Sequence, residues 1–156
     1  MSTSDVIYLV RHAKAGERRV WTGDDTSRPL SKHGWKQSRA VAERLAGKGV
    51  STIHSSPYLR CVQTVEPLAE LIGTTITIDD RLAEDSPFEP VLDLLADIDT
   101  GAVLCSHGDI IPATIQALVR RGMEMQSSVD WRKATVWVLR RKGDRITKGK
   151  VWAPPS

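Results

Sequence analysis

Cysteine is nearly absent from this sequence: Cys61 and Cys105 are the only two in 156 residues, both lie inside apolar runs, and neither belongs to a CxxC spacing. That argues against a disulfide framework or a zinc site and fits a reducing, cytoplasmic setting. No apolar run reaches the roughly 20 residues that cross a bilayer, and Met1 to Asp5 are polar, so the expectation is a protein neither exported nor membrane-embedded. A strong charge of either sign is missing too. Lys and Arg number 22 against 19 Asp and Glu, a net charge of +3, which favours anionic ligands such as phosphate esters without demanding nucleic acid. Repeats, linkers and low-complexity segments are also lacking. Residues 1–156 are therefore read as one domain, and 40% hydrophobic with 26% charged residues places it with ordinary globular proteins rather than disordered or fibrous ones.

What is present is an alternation of short apolar runs and helical patterns. Val6 to Val10 is β-branched and apolar, as a strand buried on both faces would be. Residues 15–30 have no sustained period and read as a long loop. Ser31 is placed to cap a helix to about Ala46, ended by Gly47 and Gly49. A second strand covers Thr52 to His54. Ser56 and Pro57 then read as the cap and first turn of a helix to about Ile72. Thr74 to Ile78 is a third strand, Arg81 to Pro90 a loop and Val91 to Ile98 a short helix. Ala102 to Ser106 is another strand, followed by a helix from about Asp109 to Arg121. Thr135 to Arg140 and Arg145 to Trp152 form a terminal hairpin around Lys142-Gly143-Asp144. This order predicts an α/β fold, a three-layer α/β/α sandwich with a mainly parallel central sheet.

Three short elements carry chemistry. Arg11-His12 stands where the first strand ends, the edge at which open α/β sheets place their ligands. Ser55-Ser56-Pro57-Tyr58-Leu59-Arg60, with Gln63-Thr64 one turn later, sets a guanidinium and backbone donors at a strand-to-helix junction, an anion site. Cys105-Ser106-His107-Gly108 ends a late strand, and the missing side chain at Gly108 would let a ligand approach the backbone. Singly, each has a plain alternative: a surface Arg-His pair, a capped helix with a solvated arginine, a structural histidine. The two histidines, each at a strand end, can converge.

Taken together and in this order, the elements resemble the histidine phosphatase superfamily, which includes the phosphoglycerate mutases. The resemblance runs from about Val6 to Val119 and takes in Pro29-Leu30, Gly34 and Gln37. The small size and the Arg-His-Ala-Lys start are similar to SixA-type phosphohistidine phosphatases and to the phosphatase domain fused to some Nudix hydrolases, although no Nudix box is present. Most members carry Gly after the catalytic histidine, whereas this chain has Ala13, a departure those two groups tolerate.

The resemblance implies a phosphoglycerate-mutase-like fold and a phosphatase that needs no metal or other cofactor. His12 would attack phosphorus, and Arg11, Arg60 and His107 would grip the phosphoryl group with the N–H of Gly108. Attack requires a neutral imidazole, and flanking Arg11 and Arg60 are expected to hold its pKa below ~6.5. Glu84 matches the position that supplies a proton to the leaving group in many members, with Asp85 as the competing candidate. A carboxyl of ordinary acidity is protonated only about one part in 500 at pH 7, so that role depends on the surroundings. Trp21, Thr22, Gly23, Asp24 and Asp25 would lie over the pocket, where the indole offers a stacking face, or else form a loop packed on itself. Lys14 would add positive charge near the phosphate or else stand as a solvated lysine. The basic hairpin Arg140 to Lys150 reads as a solvated face, and Trp131, Trp137 and Trp152 as core. The partner is a small phosphorylated metabolite or nucleotide. The alternatives are a phosphohistidine protein in signalling and a non-catalytic phosphate-binding module. Neither nucleic acid nor membrane is expected as a partner, and the residues leave the oligomeric state open.

Overall fold

A computed structural model describes residues 5–155; Met1 to Ser4 of the polar start, and Ser156, lie outside the described residues. Seven strands form one sheet in the order β3-β2-β4-β1-β6-β7-β5. The strands are β1 (Val6–Arg11), β2 (Thr52–Ser55), β3 (Ile76–Ile78), β4 (Ala102–Ser106), β5 (Glu124–Met125), β6 (Val136–Lys142) and β7 (Arg145–Trp152). The helices are α1 (Lys32–Ala46), α2 (Leu59–Ile72), α3 (Glu89–Asp97) and α4 (Ile110–Arg120).

Strands β1 to β4 pair in parallel, and β6 joins β1 antiparallel, with Tyr8 opposite both Val103 of β4 and Val138 of β6. The sheet is thus mainly parallel on the side that carries β1 to β4. Alternate residues of β1 serve opposite faces, as the pleat requires. Val6, Tyr8 and Val10 pack with Val41 and Leu45 of α1 and Val65 and Leu68 of α2. Ile7 and Leu9 pack with Leu95 of α3 and with Ile111 and Ile115 of α4. This is the three-layer arrangement expected from the alternation. A residue such as Leu9, with no exposed surface, stabilises it by about 2–5 kcal/mol relative to alanine.

The first helix starts as its sequence indicates: the Ser31 hydroxyl accepts from the Gly34 N–H at 3.0 Å. The second does not. Tyr58 is its N-cap, and Ser56 instead accepts from the Tyr58 N–H at 3.2 Å while bonding His107, so the helix begins after the Ser-Ser-Pro turn rather than at it. The third strand is trimmed to Ile76–Ile78, and Thr135 precedes β6 rather than belonging to it. Strand β5, two residues beside β7, had no recognisable pattern in the sequence.

The tryptophans near the hairpin are packing groups. Trp131 and Trp137 stack at 5.3 Å, and Trp152 lies against Tyr8 at 5.9 Å with the Arg44 guanidinium over its ring. Hairpin cations bind their own chain: Arg140 pairs with Asp5 at 2.7 Å, and Arg141 donates to the Leu95 and Ile98 carbonyls that end α3. Among the described residues no helix is long and apolar enough to cross a membrane.

Candidate active site

β1 and β4 are adjacent and parallel, so their carboxyl ends deliver Arg11-His12 and His107 to one point. The His12 N–H donates to the Ser106 carbonyl at 3.1 Å, and the two imidazoles meet edge to face at 5.4 Å. The His12 ring is oriented by its own backbone: Nδ1 lies 2.8 Å from the Ala13 carbonyl. A carbonyl only accepts, so Nδ1 carries the proton and Nε2 keeps the lone pair.

Burial is the main force pushing the His12 pKa down to about 3; the His107, Arg60 and Arg11 charges add to it, and the Ala13 hydrogen bond opposes it. The direction agrees with the sequence reading, but desolvation rather than the flanking arginines dominates. Neutral pH therefore leaves the ring unprotonated, the form a nucleophile needs.

The chain that carries His12 is clamped by residues from α1 and α2. Thr64 accepts from the Ala13 N–H at 2.9 Å, Gln37 from the Lys14 N–H at 3.1 Å and Gln63 from the Leu30 N–H at 2.8 Å. The Lys14 carbonyl accepts from the Ser31 N–H at 2.9 Å, and a Cβ on Gly34 would stand 1.9 Å from that carbonyl oxygen. The Gly, Gln and Gln-Thr positions recognised in the sequence thus set the backbone beneath His12.

Arg60 is fully buried at the start of α2. Its guanidinium binds the Asp25 carbonyl at 2.9 Å, the Asp25 carboxylate at 3.2 Å and Glu84 Oε1 at 3.0 Å. Glu84 Oε1 also lies 3.5 Å from His107 Nδ1. On the other side of that ring, Nε2 lies 2.8 Å from the Ser56 hydroxyl. With the hydroxyl donating to Nε2, the ring proton sits on Nδ1 and faces Glu84. Arg11 Nε, Arg60 Nε and His107 Nδ1 are buried and have no hydrogen-bond partner among the described residues. A buried donor left so costs about 1–3 kcal/mol, and here three are gathered at one place.

A cleft of about 630 Å³ opens over this cluster, lined among others by Arg11, His12, Lys14, Arg60, Glu84 and Gly108. Gly108 does something other than expected: a Cβ there would stand 2.7 Å from the Arg11 guanidinium carbon, so the missing side chain makes room for Arg11 itself. Asp85 lines the cleft too, in a left-handed conformation, with its N–H held by Asp109 at 2.9 Å. Trp21, Thr22 and Gly23 are not brought to the cleft wall. The indole N–H donates to the Asp24 carbonyl at 2.8 Å and the ring lies 3.1 Å from the Cβ position of Gly23, so this loop packs on itself.

Residues 7–86 match the model of the histidine phosphatase superfamily, branch 1. The chain belongs to this superfamily. A histidine phosphatase relative, the 8-oxo-(d)GTP phosphatase of Mycolicibacterium smegmatis, is 30% identical over 96% of this chain, which spans 48% of that protein's length. Among solved structures, the protein histidine phosphatase SixA complexed with tungstate is similar with a TM-score of 0.76 at 17% identity, over 97% of this chain and 96% of that one. A mycobacterial glucosyl-3-phosphoglycerate phosphatase is similar with a TM-score of 0.68 at 18% identity, over 96% and 98%. At such identity these two likenesses show the fold alone.

Asp25, expected only as part of the loop over the pocket, is the second carboxylate on Arg60. Sequence reasoning missed Arg28, which is 7% exposed and binds Asp25 at 3.0 Å. It also missed Lys133, which lines the cleft from the segment before β6. None lies in a motif. Asp25 and Arg28 sit in an aperiodic loop, and Lys133 is separated from His12 by most of the chain.

Proposed function

We propose that this protein is a phosphatase that removes phosphate from monoesters or from terminal phosphates of a small metabolite or nucleotide, through a phosphohistidine at His12. The observation that carries the reading is the neutral His12 ring, fixed by Ala13 with Nε2 unprotonated, beside the unpartnered donors of Arg11, Arg60 and His107. Those donors and both guanidinium forks suit the oxygens of a phosphoryl group, where charge redistributes in the transition state. Nε2 attacks phosphorus, the bond to the leaving oxygen breaks, and water then displaces the histidine to give inorganic phosphate.

Glu84 is the proton donor in this reading, because it shares the Arg60 guanidinium and faces His107, whereas Asp85 has no contact with either arginine. Residues 1–156 act as one phosphatase domain in a cytoplasmic setting. Support for the single domain comes from one sheet whose strands serve both apolar layers. The name of the Mycolicibacterium relative supports a nucleotide substrate.

A second reading, a protein phosphohistidine phosphatase, is favoured by the likeness to SixA over nearly the whole of both chains. One experiment tests both. The pure protein is incubated with EDTA and a panel of nucleotides, sugar phosphates and a phosphohistidine protein, then quenched under alkaline conditions. Label on His12 with turnover of a small molecule supports the first reading, and turnover of the phosphoprotein alone the second. No label and no release of phosphate overturns both and leaves a binding module.

A further inference from the structure

The cleft over His12 does not end at the phosphoryl site. It continues past Lys14 and Lys133 into a second groove of about 730 Å³, walled by His33, Gln37, Arg132 and the segment Ala153 to Pro155. The distribution of charge between the two is uneven. Glu17, Glu84, Asp85 and Asp109 all line the first cleft, whereas no carboxylate among the described residues lines the second. Arg11, Lys14 and Lys133 line both. The Arg60 charge is met by Asp25 and Glu84, and the Arg132 charge by Asp130 at 2.6 Å. Lys14 and Lys133 have no ion pair among the described residues.

Lys133 is also held in place. The next residue, Ala134, has φ of 65°, a left-handed conformation that a non-glycine residue rarely adopts. Its N–H is shared by the Arg11 carbonyl at 3.1 Å and the His12 carbonyl at 3.2 Å, and the Thr135 carbonyl accepts from the Arg11 N–H at 3.1 Å. The turn that presents Lys133 is therefore stitched to the backbone of the nucleophile. Burial, together with Arg11, Arg28, Lys14 and Arg60 nearby, lowers the Lys133 pKa, the mark of a cation set among cations.

We propose that Lys133 and Lys14 form a second anion subsite that takes the penultimate phosphate of a substrate ending in a phosphoanhydride, so that Lys133 determines specificity for di- and triphosphate ends over simple monoesters. This rests on the phosphatase reading. A monoester brings one dianion, which the donors around His12 already satisfy, and leaves the two lysines unpaired. A phosphoanhydride end brings a second oxyanion directly bonded to the first. When Nε2 bonds to the terminal phosphorus, the bond from phosphorus to the bridging oxygen breaks and its electron pair stays on the leaving phosphate. That charge sits beside two ammonium groups and needs no proton from Glu84. Water then displaces Nε2 from phosphorus, giving inorganic phosphate and releasing one proton to solvent.

The test compares kcat/KM for a nucleoside diphosphate with that for p-nitrophenyl phosphate, in the native protein and in Lys133→Met, Lys133→Arg and Lys142→Met. A charge-assisted contact is worth about 10–100-fold, so Lys133→Met lowers the diphosphate-to-monoester ratio by at least about tenfold. Lys133→Arg restores most of it, and Lys142→Met, on the distant hairpin, leaves the ratio where it was. An equal fall on both substrates, or none, overturns the subsite. Hydrolysis of the monoester without the diphosphate sinks the subsite and leaves the phosphatase reading standing. If neither is hydrolysed, that reading fails, and calorimetry still decides the subsite. It requires inorganic pyrophosphate to bind more tightly than phosphate and Lys133→Met to abolish the difference; equal binding overturns it.

Discussion

The cleft has two walls built from different kinds of structure. On one, Arg11, His12 and His107 ride on the ends of two central parallel strands, and backbone hydrogen bonds from Ser106, Thr135 and Ala134 fix the chain on either side. On the other, Glu17, Arg18 and Arg28 sit on the 15–30 loop, whose two ends are closed on each other by a bridge between Ala15 and Leu30 and which is tied to Glu84 and Arg60 by the ion pairs of Arg18 and Asp25. Both walls are rich in charge, yet His12 and His107 are buried while the Arg18 side chain is 66% exposed. The first wall is placed by the hydrogen-bonded sheet and cannot move without it. The second is placed by side-chain ion pairs, of which those of the exposed Arg18 are worth little each in water. In the proposed mechanism the chemistry belongs to the first wall.

The sharpest way to break that comparison is His12→Ala. Turnover should fall by several orders of magnitude, on the scale of ~10⁶ seen for removed nucleophiles, with no alkali-stable label and an unchanged circular dichroism spectrum. Near-normal activity would remove His12 from the mechanism. Glu84→Gln should lower kcat by about 10²–10⁴ on alkyl monoesters and far less on phosphoanhydrides or phosphohistidine, whose leaving groups need less protonation. Equal losses on all leaving groups would make Glu84 a positioning carboxylate. Gly34→Ala pushes a methyl into the Lys14 carbonyl and displaces the backbone under His12. It should cost about 1–3 kcal/mol of stability by urea unfolding and roughly 100-fold in kcat/KM.

A subtler effect comes from pH. His12 has a folded pKa of about 3, below the ordinary 6.5, so between those values the unfolded chain binds a proton that the folded protein does not. Its contribution is fully present above 6.5 and is lost as pH falls towards 3. From pH 7 to 5 the native protein should lose about 2 kcal/mol more than His12→Asn in urea unfolding. Parallel losses in the two proteins would mean that the ring is not buried neutral. At the small end, Trp21→Ala should change stability by less than about 0.5 kcal/mol, and kcat/KM less than threefold, because the indole packs on its own loop. A large loss would bring the loop wall into the chemistry.

The sequence made the first wall legible and the second nearly mute. Val6 to Val10 and Ala102 to Ser106 announce buried parallel strands by composition alone, and a strand end is a fixed place, so Arg11, His12 and His107 were found with their setting. Arg60 was found through the Ser-Ser-Pro turn, although the cap was assigned to Ser56 when that hydroxyl in fact reaches across to His107. A hydroxyl can serve either partner, and nothing local decides between them. For Trp21 the residues leave a stacking face and a self-packed loop both open, and the loop's nearest neighbours decide for the second. Nothing local pairs Asp25 with Arg60, and Lys133 carries no local signal at all.

By itself the sequence determined the layers, the strand ends and the residue types that stand on them, because burial on both faces and helical period are written in neighbouring residues. Only the tertiary structure decided what meets across the chain. The pairing of β6 against β1 carries Lys133 to the cleft over His12, and Asp25 and Glu84 come to share one buried guanidinium. So, too, does Gly108 make room for Arg11. Such contacts depend on register and on the shape of loops, which hydrophobic pattern constrains only on average.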